Sequence, residues 1–218
     1  MKTVLNPVCT PTPLSRRAFA AHLAGAAVLA HSARTLAQTQ ARSTATTKTP
    51  TELGAFGGGA TWQMQGSGAL RFFGFKAYDA NLWSTVPAPS GVNPFAAKGL
   101  YALEIVYNTG IKADEIVNVS LVEMARLRRL TDAQVKAWTA EMQRTFPSVV
   151  SGDRLTGLHV PNVGTRFFFN SRLISEINDA AFGDAFFAIW LDEGTKRPEL
   201  RKQLLSQAVN APAAPATN

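Results

Sequence analysis

Lys76 and Tyr78 lie two residues apart in Ala69–Trp83, a segment dense in aromatics and patterned like a β-strand. Side chains alternate across a strand. A continuous strand therefore sets Leu70, Phe72, Gly74, Lys76, Tyr78, Ala80 and Leu82 on one face. Lys76 is then a cation on an otherwise apolar face, and a buried ammonium needs a partner. One reading is a structural ion pair with Glu104, the single acid in Leu100–Tyr107. The other is anion binding: Lys76 would meet a carboxylate, Tyr78 would donate a hydrogen bond, and Phe72 would supply apolar wall. A third use of Lys76 or Tyr78 is as acid or base in an isomerase or lyase.

The other groupings carry less chemistry. Phe167–Phe169 and the set Phe182, Phe186, Phe187 and Trp190 fall at strand and helix spacing, and core packing accounts for them. Arg126, Arg128 and Arg129 end a helix and suit its macrodipole. His159 stands alone on a short strand, which reads as structural. The glycines between Gly54 and Gly59 lack the lysine and following helix of a phosphate loop. No cofactor and no metal site is expected, and no catalytic residue is assigned.

These residues sit in a clear order of elements. Thr61–Gln65 reads as a short strand, Gly66–Gly68 as a turn, Ala69–Trp83 as a long strand and Leu100–Tyr107 as a second one. The period then changes. Lys112–Leu130 reads as a helix with its stripe at Ile116, Val119, Leu121, Met124 and Leu127. Thr131 and Gln134 form a capping-box signature for a second helix running to Phe146. Strands return at Arg154–Val160, Thr165–Phe169 and Leu173–Ile177. Asp179 caps a helix through Trp190, and Pro198 opens a last one to Leu205. Segregated blocks of this kind predict an α+β fold, with helices packed on one face of an antiparallel sheet.

Ahead of this domain, Arg16 and Arg17 precede an apolar run with no charge from Ala20 to Ala30. A basic n-region, a short apolar h-region and small residues at Ala37 predict a cleaved secretory signal over 1–37. The arginine pair predicts the twin-arginine export machinery as a partner and a periplasmic location. The run is too short and too rich in alanine and glycine for a permanent membrane anchor. Residues 38–60 read as a flexible linker, 61–207 as the domain and 208–218 as a disordered tail.

The signal holds Lys2, Arg16, Arg17 and Arg34 and no acid; taking these four from 22 leaves 18 basic against 15 acidic residues, net +3. That balance makes no case for nucleic acid. Cys9, the only cysteine, leaves with the signal, as do His22 and His31. The exported chain then has no disulfide framework, no His/Cys metal set and no Ser-His triad beyond what His159 alone could serve.

The segments Arg71–Trp83, Ser151–Gly157 and Phe186–Asp192, with Thr195–Leu205 continuing, resemble the bacterial chalcone isomerase-like family. The resemblance covers about Thr61–Leu205. It implies an open-faced β-sandwich, a large antiparallel sheet covered by helices with a ligand cleft between. The wider fold family contains plant enzymes that close a chalcone to a flavanone, and non-catalytic relatives that bind fatty acids. Matching the family's segments sets Met64 at the plant arginine position, Lys76 and Ile189 at threonines, Ala113 at the tyrosine and Ser120 at the asparagine. None of the plant groups is present, so the electrostatic part of that mechanism is missing. The expectation is therefore binding of a small amphipathic ligand such as a fatty acid by Lys76, Tyr78, Phe72 and Ser120. An isomerase or intramolecular lyase with another catalytic set, and a partner-binding domain with a filled cleft, stand as alternatives.

Overall fold

The computed structural model describes residues 48–56, 59, 61–72, 74–86 and 99–206, with Phe72 by its backbone alone. The signal residues Arg16 and Arg17 and the tail 208–218 lie outside the described residues. Six strands form one antiparallel sheet in chain order: β1 (Gln63–Phe72), β2 (Phe75–Ser84), β3 (Tyr101–Tyr107), β4 (Arg154–Val160), β5 (Gly164–Phe169) and β6 (Arg172–Ile177). Between β3 and β4 run α1 (Ala113–Leu127) and α2 (Asp132–Thr145); α3 (Ala180–Leu191) and α4 (Pro198–Leu204) follow β6. This is the expected α+β architecture, an open sheet with its helices on one face.

The helix ends follow from local chemistry. Thr131 accepts from the Gln134 amide and Gln134 reaches back to Thr131, a full capping box for α2. Asp179 accepts from the Phe182 amide at 3.1 Å with one oxygen and from Trp138 Nε1 at 2.8 Å with the other, so one carboxylate starts α3 and ties it to α2. Under the helices lies the main core, with Leu82, Leu103, Met124, Met142, Phe167, Phe182, Phe187 and Leu191 almost fully buried. In α1 the deepest positions are Val117, Ser120 and Met124. The predicted stripe is thus rotated: Val119 is 64% exposed.

Two sequence expectations fail at the first hairpin: the Gly66–Gly68 turn, and Ala69–Trp83 as one long strand, which the structure divides between the end of β1 and β2. Gly66–Gly68 is not a turn but lies inside β1, and the reversal comes where Phe72 pairs with Phe75 and Gly74 takes φ +84°. The glycines serve close approach. A Cβ on Gly66 would fall 2.1 Å from the Gln203 carbonyl oxygen, and one on Gly68 2.2 Å from Gln203 Oε1. Helix α4 lies directly on this backbone. The linker expectation for 38–60 also fails in part. Thr51–Ala55 forms a 3₁₀ turn on the helix-free face of the sheet, with Leu53 fully buried against Trp83, Leu158 and Phe168. Trp62 Nε1 pins that turn by donating to the carbonyls of Leu53 (2.8 Å) and Phe56 (2.9 Å). One short turn offers no period to read.

Candidate binding cavity

A cavity of about 460 Å³ lies between the sheet and its helical cover. The sheet contributes Leu70, Ala77, Tyr78, Ile105, Tyr107 and Leu155. Helix α1 contributes Ile116, Val119 and Ser120, and α3 contributes Phe186, Ile189 and Trp190. The connection from α3 to α4 closes the ring with Thr195, Lys196 and Arg197. The volume falls in the range of roughly 300–1,000 Å³ used for small-molecule sites, and the walls are mostly apolar with a few placed polar groups.

A bulge decides which side chains reach it. Leu70 pairs with Tyr78 but Arg71 pairs with Lys76, so Ala77 is an extra residue in β2. The alternation slips there, because two residues of one strand face one of its partner. Ala77 and Tyr78 both line the cavity. Lys76 is turned to the opposite face, where its ammonium meets the Asp79 carboxylate at 2.8 and 3.1 Å. Burial would raise the Asp79 carboxyl, but the hydrogen bonds from Lys76 and Asn108 hold it below the usual range. The face assigned to Lys76 from a continuous strand is therefore corrected, and so is its ion-pair partner. Glu104 instead binds Asn81 at 2.9 Å and Arg154 at 3.3 Å on the helix-free face.

Of the four site residues expected from sequence, Tyr78 and Ser120 line the cavity and Lys76 does not. The side chain of Phe72 lies outside the described part. Among the positions matched to plant catalytic groups, Ile189 also lines the cavity. Met64 packs instead on the cluster of the helix-free face.

Sequence reasoning missed Tyr107, Trp190, Thr195 and Arg197. Tyr107 had a signal, since it stands opposite Tyr78 once β2 and β3 are paired. Trp190 reads as core, and Arg197 lies far along the chain from Ala69–Trp83.

These residues make one polar corner. Trp190 Nε1 donates to the Tyr78 hydroxyl at 2.9 Å. That leaves the phenol proton available to a ligand. Burial raises Tyr78 above the ordinary tyrosine value, against smaller lowering effects from the Trp190 bond and the Arg197 charge. Tyr107 packs edge-on to Tyr78 with ring centroids 6.2 Å apart, and burial raises it too. Both phenols are thus neutral donors at physiological pH. Arg197 brings a permanent positive charge to the same corner.

The mouth is held by α1. Glu123 accepts from Lys196 at 2.7 Å and from Arg126 at 2.8 Å, while Arg126 also donates to the Gly194 carbonyl at 2.8 Å. Arg128 binds Asp192 at 2.9 Å. The basic run at the end of α1 thus fastens the loop that carries Thr195 and Arg197. Burial works to raise Glu123, yet its two cationic partners win and lower it. His159 is far from this chemistry. It is buried beneath Gly183, with Nε2 3.3 Å from Asp184, and burial lowers its pKa.

The profile of chalcone isomerase-like proteins matches residues 41–206, most of the chain. The chain belongs to the chalcone isomerase-like family. An uncharacterized protein of Haemophilus influenzae is 28% identical over 148 residues, which is 68% of this chain and 70% of that one. The crystal structure of an Arabidopsis thaliana fatty-acid binding protein superposes with a TM-score of 0.56 at 10% identity. That match covers 70% of this chain and 90% of the other. At this identity the likeness shows a shared fold. Within the family fold, the cavity lies where a helical layer meets an open sheet, and its polar corner is built from this chain's own Tyr78, Trp190 and Arg197.

Proposed function

We propose that this domain binds a small amphipathic acid, such as a fatty acid, without transforming it. The observation that carries the reading is the apolar cavity of about 460 Å³ with Tyr78, Trp190 and Arg197 at one corner. The acid group would sit at Arg197 and accept the Tyr78 proton, and the chain would lie against Ile105, Ile116, Leu155, Phe186 and Ile189. A charge-assisted hydrogen bond of this kind contributes about 1.5–3 kcal/mol. Ser120, buried on α1 and facing the same space, offers a further polar contact. The fatty-acid binding protein of the same fold supports the ligand class. Export supplies the setting: Arg16 and Arg17 with the uncharged run after them would place the domain in the periplasm.

Two measurements test this. Displacement of a fluorescent fatty acid should weaken about tenfold or more in Tyr78→Phe and in Arg197→Gln. Both variants binding like the parent would refute the site. Replacing Arg16 and Arg17 by lysine should leave the protein in the cytoplasmic fraction; periplasmic recovery of that variant would refute the export route.

A further inference from the structure

The bulge that turns Lys76 outward has a second effect at the hairpin tip. Phe75, one residue from Lys76, falls on the opposite face, that of Leu70 and Tyr78. No helix covers it there: Phe75 is 80% exposed, the largest exposure of any large apolar side chain among the described residues. It projects at the hairpin tip from the same face as Leu70 and Ala77, which are lining residues. On α1, Val119 both lines the cavity and is 64% exposed, so it marks the mouth. Val122, one turn further along α1, is 59% exposed. Apolar side chains thus stand on both lips of an apolar cavity.

The charges nearby favour one kind of partner. Arg71 and Lys76 pair across the hairpin next to the Phe72–Phe75 pair and on its other face, and Arg71 is exposed. Among the described residues, Asp79 is the carboxylate that both cations act on. On the opposite lip the carboxylate of Glu123 is occupied by Lys196 and Arg126, and Glu115 is the remaining acid in the lining. An aromatic tip flanked by basic side chains matches the interface of an anionic bilayer, where the ring enters the acyl boundary and the cations meet headgroups. Among the described residues no helix is long and apolar enough to cross a membrane.

We propose that the cavity mouth docks on anionic phospholipid bilayers through Phe75, with Arg71 and Lys76 on the headgroups and Val119 and Val122 on the facing lip. The cavity then opens onto the acyl layer, and an amphipathic ligand exchanges with the membrane without crossing water. This rests on the ligand-binding reading for its purpose, but the docking is measured separately.

The test is cosedimentation of the full chain with vesicles of equal parts phosphatidylglycerol and phosphatidylcholine, beside vesicles of phosphatidylcholine alone. The chain should prefer the anionic vesicles. Phe75→Ala should weaken that binding about tenfold, the value of withdrawing one phenylalanine from an apolar phase. Arg71→Gln should weaken it about fivefold and flatten its salt dependence. Val163→Ala, at an exposed apolar site on the β4–β5 turn, should change nothing. Any contribution from the N-terminal segment is common to all variants. Phe75→Ala binding as tightly as the parent, or no preference for anionic vesicles, overturns the proposal. Displacement of a fluorescent fatty acid in vesicle-free buffer runs alongside, and Phe75→Ala should leave it unchanged. Loss of probe binding in the parent would sink the ligand reading while leaving the docking result standing.

Discussion

All three tyrosines of the chain, Tyr78, Tyr101 and Tyr107, are raised above the ordinary phenol value of 10. Burial is the main cause for each, with the Asp184 charge adding to Tyr101 and the Tyr78 neighbour adding to Tyr107. A raised native value means that the folded chain holds its phenol protons more tightly than the unfolded chain. The contribution is fully present below pH 10 and is lost as pH climbs from there toward the native values. Each phenol that ionises only on unfolding removes about 1.4 kcal/mol per pH unit. Tyr101 and Tyr107, 3% and 5% exposed, therefore remove roughly 3 kcal/mol per unit together, and Tyr78 steepens the fall. A domain of ordinary stability, about 5–15 kcal/mol, then unfolds within a few pH units above 10. The perturbation is alkaline titration, followed by tyrosinate absorbance and far-ultraviolet circular dichroism on one sample. Tyrosinate should appear together with the loss of structure, in one cooperative step. Tyr107→Phe should move that step to higher pH once stability at neutral pH is matched. A smooth rise in tyrosinate centred near pH 10, with the dichroism still native, would refute the burial argument and with it the neutral-donor description of the cavity corner.

Two further outcomes test the frame around the site. Gly66→Ala puts a methyl 2.1 Å from the Gln203 oxygen and 2.5 Å from that of Leu204, so α4 must shift. Overpacking of this kind costs about 1–3 kcal/mol, several degrees in a thermal melt, and a melt that does not move would show that β1 and α4 are not in contact. Glu123 is lowered from 4.5, so its contribution is present above that pH and is lost as pH falls through the lower native value. Glu123→Gln should flatten the dependence of the urea midpoint below pH 4.5, and parallel curves for variant and parent would refute the pairing with Lys196 and Arg126.

What the sequence makes legible is whatever local chemistry decides. The capping box at Thr131 and Gln134, the Asp179 cap, Pro198 at the start of α4 and the strand Arg154–Val160 all stand where the pattern puts them. The block order carries the α+β class with it. Gly66 and Gly68 mislead because a glycine needed for close approach has the same letter as one needed for a turn, and the partner backbone is 137 positions away at Gln203. The cavity is half legible for a related reason. Tyr78 and Ser120 can be placed by strand and helix position, whereas Trp190 and Arg197 reach the same corner only through the docking of α3 onto β4 and β5 and of α4 onto β1 and β2.

The bulge at Ala77 is the single irregularity on which most of the site turns. With strict alternation, Lys76 would share the face of Tyr78, and the cavity would hold an ammonium beside two phenols. An anion could then be met from the strand alone. The extra residue sends that charge to Asp79 and keeps the β2 wall apolar, so the positive charge of the polar corner must come from Arg197 on the opposite element. A headgroup held between β2 and the start of α4 depends on the seating of α4. That seating depends in turn on Gly66 and Gly68 and on the Arg126 and Lys196 contacts from α1. The same slip sets Phe75 on the face of Leu70 and Tyr78, so the division of charge between the two faces and the exposed aromatic tip have one structural cause. The two proposed activities, affinity for an acid and attachment to a bilayer, are then separable by mutation, because the first would be lodged in Tyr78, Trp190 and Arg197 and the second in the hairpin tip.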